Sequence, residues 1–350
     1  MKIHFILILS FLIQGIYSDN NCVHKYAMKN KRMYNRTLFL EGTFKKKKNF
    51  RNYNNKEYNN YINLYTIKNP LKCKVVDIIK LVREKSLSEV YNIEICHNGK
   101  FKYLEGQSCG IIPYYNENDS TEDSNKNDGR KIKKQARLYS ISSGDSKNLS
   151  VAIKIHKYED IENGVKKLKY GYCSGFIKNI KKNNDIYLTG SHGSFFLPDD
   201  VVEKNKNLIF IATGTGISPY ISFLKKILGY DKNNMKKKSN YNGLIHLFYG
   251  VYNEDSILYL NELEYFKKIY PYNLHIHYVF SSIKNLDGTS FHVQDEIFRK
   301  KKEFLELFNV NKSELYICGH KSIRKKIIEI IKNNEPFDEE KKKRIHVEVY

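Results

Sequence analysis

The sequence lacks any pair of cysteines spaced to hold a metal or to cycle between thiol and disulfide. Its six cysteines (Cys22, Cys73, Cys96, Cys109, Cys173 and Cys318) are scattered, and no CxxC occurs. That excludes a zinc ribbon and a thioredoxin-type site. Cys22 falls in a segment that reads as removable, which leaves an odd number and speaks against a dense disulfide framework. Long apolar runs are also missing. No stretch of about 18 apolar residues occurs, so no membrane-spanning helix is expected in the mature chain. Acidic residues are in short supply, with 38 Asp and Glu against 60 Lys and Arg, for a net charge of +22. Such an excess favours acidic partners (nucleic acid, anionic membrane or an acidic protein) without choosing among them. Residues 1–56 hold twelve Lys and Arg and two acids, Asp19 and Glu41, so +10 of the excess is local and +12 remains beyond.

The 350 residues are enough for two sizeable cores. Lys2 precedes an apolar run over 5–13 that is broken only by Ser10, and the small residues Gly15 and Ser18 follow. Residues 1–18 therefore read as a signal peptide, too short to span a membrane. Residues 19–56 are basic, Asn-rich and nearly free of acids, with Lys45, Lys46, Lys47 and Lys48 in the middle. That is transit-peptide composition. Together the two segments look like the two-part address of a plastid enclosed by extra membranes. A secreted protein with a disordered basic arm is the alternative.

The mature chain has two rhythms. From 57 to 204 it reads as short alternating strands, at 74–78, 90–97, 136–141, 150–158 and 186–189, with little helical periodicity. Evenly spaced short strands predict an antiparallel barrel. Residues 116–134 are a polar low-complexity insert that reads as a flexible loop. From 205 to 350 strands at 208–212, 244–249, 275–280, 315–318 and 345–350 alternate with helices at 219–228, 257–269, 293–307 and 323–331. This alternation predicts a parallel sheet with helices on both faces, and hence a two-domain β plus α/β architecture.

The turn Gly214-Thr215-Gly216-Ile217-Ser218-Pro219 follows the first strand of the second half and opens a helix. Its glycines let backbone N–H groups approach a pyrophosphate, and the helix N-terminus adds partial positive charge. Pro219 suits the first helical turn, where no hydrogen bond is lost. It also replaces the last glycine of the GxGxxG fingerprint. A strand-to-helix turn of this kind can be purely structural. Its place at the carboxyl end of a parallel strand favours a ligand.

Several segments, in order, resemble one family. Arg137-Leu138-Tyr139-Ser140 is similar to the RxYS flavin motif of the ferredoxin–NADP+ reductase superfamily. Gly171-Tyr172-Cys173-Ser174 resembles its second FAD segment, and Gly214 to Pro219 its nicotinamide-nucleotide turn. Tyr316-Ile317-Cys318-Gly319 resembles its late strand-end motif. His346-Val347-Glu348-Val349-Tyr350 looks like the plastid-type C-terminus, and residues 103–113 fit the early barrel. The likeness covers roughly 61–350. The Asn- and Lys-rich character and the leader are similar to those of apicoplast members in malaria-type parasites.

The resemblance implies electron transfer between NADP(H) and an acidic [2Fe–2S] ferredoxin through FAD, by hydride transfer between flavin N5 and nicotinamide C4. In a non-photosynthetic plastid the direction would run from NADPH to ferredoxin. Arg137 offers charge to a diphosphate. Tyr139 offers an aromatic face to the flavin ring and Ser140 a hydroxyl to N5. Leu138, Gly171, Tyr172, Cys173, Ser174 and Thr215 complete the expected FAD site, with Tyr158 stacked on adenine and Tyr350 over the flavin. Ser140, Cys318, Glu348 and Tyr350 would surround the nicotinamide, and Tyr350 would have to move for hydride transfer. Lys154, Gly214, Thr215, Gly216, Ser281, Lys284, His292, Cys318, His320 and Lys321 are the residues expected around NADP.

The phosphate end departs from the pattern. Ser281 matches, but Ser282 stands where the family has arginine, Ser290 where it has lysine and His292 where it has tyrosine. Lys284 or Lys321 could restore the charge, and His292 would stack on adenine and make binding pH-sensitive. A cytochrome b5 reductase-like or flavodoxin reductase-like enzyme is the rival within the superfamily. The terminal tyrosine and the leader argue against it. A basic nucleic-acid-binding protein is the rival of another class, and it leaves the ordered flavin motifs unexplained.

Overall fold

The computed structural model describes residues 64–113, 135–162, 164–229, 239–310 and 313–350. The expected signal peptide, transit segment and insert 116–134 lie outside them. The described part belongs to one compact unit, Lys56–Tyr350. Its first eight strands are β1 (Leu71–Lys80), β2 (Val90–Cys96), β3 (Ser108–Ile112), β4 (Arg137–Gly144), β5 (Asn148–Lys154), β6 (Lys157–Glu162), β7 (Val165–Tyr170) and β8 (Asp185–His192). A helix, α1 (Tyr172–Asn179), precedes β8.

Six of these strands close an antiparallel barrel in the order β1-β2-β5-β4-β3-β8. In β1, Leu71, Cys73 and Val75 point inward while Lys72 and Lys74 face water, the period-two pattern of a half-buried strand. Ile93, Ile95, Ile111, Ile141, Val151, Ile153 and Leu188 join Val75 in a fully buried interior. Burying each such side chain contributes about 1.5–3 kcal/mol.

The structure corrects three details of this half. β3 is buried at every position, so it shows none of the alternation that marks its neighbours. The run expected over 150–158 stops at Lys154, and the chain turns into a separate two-stranded hairpin of β6 and β7. The short helix α1 interrupts what read as strand and turn alone.

Five parallel strands follow: β9 (Leu208–Thr213), β10 (Ile245–Val251), β11 (Leu274–Phe280), β12 (Glu314–Gly319) and β13 (Ile345–Val349), in the order β11-β10-β9-β12-β13. The helices between them are α2 (Ser218–Leu228), α3 (Leu260–Ile269), α4 (Val293–Arg299), α5 (Lys301–Asn309), α6 (Lys321–Asn334) and α7 (Glu339–Lys343). α2 has Pro219 in its first turn and ends at Gly229 in the left-handed conformation, φ 68° and ψ 42°. The single helix expected over 293–307 is two, broken at Lys300 (φ −97°, ψ 27°). Apolar periodicity continues through the break, because Ile297, Phe304 and Phe308 pack into one core.

Barrel and sheet share a core. Phe195, which follows the last barrel strand, packs edge-on against Tyr316 of β12 (5.3 Å) and stacks on Phe223 of α2 (6.0 Å). Phe210 of β9 stacks on Tyr220 of α2 at 4.6 Å. Aromatic pairs of this kind add about 0.5–1.5 kcal/mol each beyond the area they bury. Polar ties flank them: Tyr259 Oη donates to Asn92 Oδ1 at 3.1 Å, and Lys226 pairs with Glu105 at 2.7 Å. Both aromatic packing and polar contacts therefore hold the junction.

Candidate active site

Strand register assembles the site. β3 and β4 place Ser108 opposite Ser140. β12 and β13 place Cys318 opposite Glu348. Where the two sheets meet, Ser108 Oγ donates to Glu348 Oε1 at 3.0 Å. Ser140 stands close enough to lower the carboxyl's pKa. The other oxygen, Oε2, is buried without a hydrogen-bond partner among the described residues. Burial pushes the Glu348 carboxyl up to about 7, against the lowering pull of the two serines. Cys318 is wholly buried in the shared core, and burial, then Glu348, holds its thiol protonated.

Tyr350 crosses to the glycine turn. Its N–H donates to the Gly319 carbonyl at 3.2 Å. Its hydroxyl lies 3.1 Å from Thr215 Oγ1 and 3.3 Å from the Thr213 carbonyl, which accepts from it. Burial of that hydroxyl raises its pKa. Even so, 59 % of the residue is exposed, a surface a flat ring could cover. The turn is a single 3-10 element, Gly214–Ile217, feeding α2. At Gly216 a Cβ would stand 2.4 Å from the Cys318 carbonyl oxygen, so only glycine lets turn and strand touch.

A cavity of about 230 Å³ opens at the carboxyl ends of β9, β10 and β11, and Lys154, Gly214, Thr215, Ser281 and His292 line it. This is where open α/β sheets take ligands. The His292 N–H donates to Asp295 Oδ2 at 2.8 Å, fixing the start of α4. On the adjoining loop Lys284 Nζ donates to Ser290 Oγ at 2.9 Å. The lysine head thus reaches the position where the family's own lysine was missing. Lys321 does not join this group. It opens α6 after β12, across β9 from the cavity. His320 sits beside it, with Nδ1 2.8 Å from Ser322 Oγ and its N–H donating to Thr213 Oγ1 at 3.3 Å.

The barrel presents the remaining residues. Arg137 and Leu138 are exposed on β4, Leu138 by 59 %. Tyr139 is half-buried and packs against the cluster that holds Cys173, and burial raises both groups, Cys173 to about 11. Cys173 therefore faces the barrel core rather than a ligand, which leaves the backbone of 171–174 as the surface on offer. Gly171 caps α1, Ser174 Oγ donates to the Gly171 carbonyl at 3.2 Å, and Tyr172 Oη donates to the Pro113 carbonyl at 3.4 Å. Tyr158 on β6 stacks on His156 at 6.0 Å and keeps 44 % of its surface exposed. Exposed Leu138, Tyr158 and Tyr350, the orphaned Glu348 oxygen and the glycine cradle together suit a flavin and a nicotinamide nucleotide. Sequence reasoning missed Ser108, Thr213 and His156 as members. Ser108 lies in the early-barrel segment 103–113, and only the strand register brings it beside Ser140.

An antiparallel barrel joined to a nucleotide-binding parallel sheet, with a buried carboxyl at the seam, defines a nicotinamide-nucleotide oxidoreductase. Residues 210–328 match the family described as Oxidoreductase NAD-binding domain. The chain is 60 % identical to the apicoplast ferredoxin–NADP reductase of Plasmodium falciparum, over all of both chains. It is 33 % identical to the chloroplastic root isozyme 1 of Arabidopsis thaliana, covering 83 % of this chain and 77 % of the other. Among solved structures it is similar to the ferredoxin–NADP+ reductase of Plasmodium falciparum (TM-score 0.70, 64 % identity, 83 % of this chain and 100 % of that one). The same enzyme with 2′P-AMP gives a TM-score of 0.72 at 64 % identity, covering 83 % and 99 %. The chain belongs to the ferredoxin–NADP reductase family, whose members use FAD and NADP(H).

Proposed function

We propose that this flavoenzyme passes electrons from NADPH to an acidic [2Fe–2S] ferredoxin inside a plastid. The observation that carries the reading is the convergence of Ser140, Cys318, Glu348 and Tyr350 at the seam beside the glycine turn. Residues 1–18 and 19–56 serve as signal and transit segments. Residues 57–204 form the FAD-binding unit and 205–350 the NADP-binding unit. When bound, FAD exchanges a two-electron hydride for single electrons.

The chain's own residues do the rest. Arg137 and the backbone of 171–174 would hold the FAD diphosphate, Tyr139 and Tyr350 the flavin ring, and Tyr158 the adenine. Lys154 and the turn at 214–216 would hold the NADP pyrophosphate. Ser281 and Lys284 would meet the 2′-phosphate, and His292 the adenine. Tyr350, tied to Thr215, would cover the flavin ring and keep nicotinamide binding weak enough for release. Glu348, with its carboxyl near neutrality, holds or yields a proton at Oε2. The mature charge of +12 steers an acidic ferredoxin toward the enzyme.

The test is NADPH-driven reduction of a plastid ferredoxin, read through cytochrome c. Strong reduction is expected. Activity with an artificial dye but none with ferredoxin would overturn the reading.

A further inference from the structure

Ser108 is not part of the flavin motif, yet it makes the 3.0 Å bond to Glu348. It sits on β3, is 4 % exposed, and pairs in register with Ser140 on β4. Two hydroxyls from adjacent strands therefore converge on one carboxylate carried by β13. The hydroxyl of Ser108 takes Oε1, which leaves Oε2 as the oxygen without a partner. A carboxylate held by one oxygen presents the other in a fixed direction.

Among the described residues, burial and two serines are what act on the carboxyl. From β12 the facing group is the Cys318 thiol, from α2 the Tyr220 hydroxyl, and from β13 itself Tyr350, and burial keeps all three neutral. His192, the ladder partner of Ser108 on β8, is turned to Thr189 Oγ1 at 3.0 Å, and burial lowers its pKa. The protonation of Glu348 thus rests on desolvation set against serine hydroxyls.

We propose that Ser108 is a positioning residue for the hydride site: it fixes which oxygen of Glu348 faces the reactants and sets the pH at which that oxygen carries a proton. The proposal rests on the role given to Glu348 above. Ser140 tunes the same carboxylate, but it also belongs to the flavin motif, so a substitution there disturbs two things at once. Ser108 offers a way to move the proton without touching the ring.

The experiment is an infrared pH titration of the Glu348 carboxyl band in the FAD-loaded enzyme, assigned by its loss in Glu348→Gln. A hydrogen bond to the ionised form favours ionisation, so Ser108→Ala should raise the band's midpoint by about one pH unit. The pH profile of NADPH turnover should move the same way. Ser108→Thr, which keeps the hydroxyl, should restore both. Flavin absorbance and circular dichroism show that each variant is folded and loaded. A midpoint unchanged in Ser108→Ala overturns the proposal. If Glu348→Gln turns over normally with an unaltered pH profile, the role of Glu348 fails instead, and the band midpoint still decides whether Ser108 controls its proton.

Discussion

The corner where barrel and sheet meet, proposed for hydride transfer, and the loop end of the cavity, proposed for phosphate, are built in different ways. At the corner, four strands from two sheets set Ser108, Ser140, Cys318 and Glu348 by register, and the key carboxylate is desolvated. At the phosphate end, exposed side chains on a loop satisfy one another, as Lys284 does with Ser290. A registered site can shift only if a strand slips, which would expose its core face. A loop site can change its charge carrier and keep the fold. The missing arginine at Ser282 falls in the tolerant region.

Four experiments probe that contrast, the strongest first. Glu348→Gln should lower NADPH-dependent turnover about a hundredfold, the ordinary worth of a positioned acid–base group. Steady-state rates across pH check it, and a variant within twofold of wild type erases the contrast.

Stability should show the contrast next. Glu348 has a folded pKa near 7, raised from an unfolded value of 4.5. The folded state therefore binds the extra proton, so this stabilisation is complete below 4.5 and is lost as pH rises through 7. The loss should be on the order of 2 kcal/mol and absent in Glu348→Gln. Chemical denaturation at pH 5 and pH 8.5 measures it.

Tyr350→Ser should tighten NADP+ binding about tenfold and slow turnover, because it removes a competitor for the flavin face. Unchanged values for both would mean that the tyrosine only ends a strand. Lys284→Ala should raise the KM for NADPH about fivefold and leave NADH unchanged, as befits an exposed charge–phosphate contact. Equal effects on the two nucleotides would move the 2′-phosphate elsewhere in the cavity.

The sequence showed much of this. The strand–helix alternation of the second half, the glycine turn, and Ser140, Cys318, Glu348 and Tyr350 at the seam were all legible, because each rests on local periodicity or a contiguous motif. β3 was hidden because burial on both faces removes alternation. The break at Lys300 was hidden because apolar spacing runs straight through it. Ser108 was hidden for a different reason: its partner lies 240 residues away, and no local pattern reports a pairing across two sheets. Lys284 could be named only as one of two candidates until the order of strands put Lys321 on the far side of β9.

The contact between Gly216 and the Cys318 carbonyl also bears on redesign of the enzyme. A Cβ there would meet backbone at 2.4 Å, and backbone cannot rotate aside as a side chain does. A library that varies 214–219 to accept another nucleotide will therefore yield folded members only where residue 216 stays glycine. Diversity has to come from Thr215 and the loop that carries Lys284. Within that turn, Gly216 is, for anyone rebuilding it, the position with the least room to change.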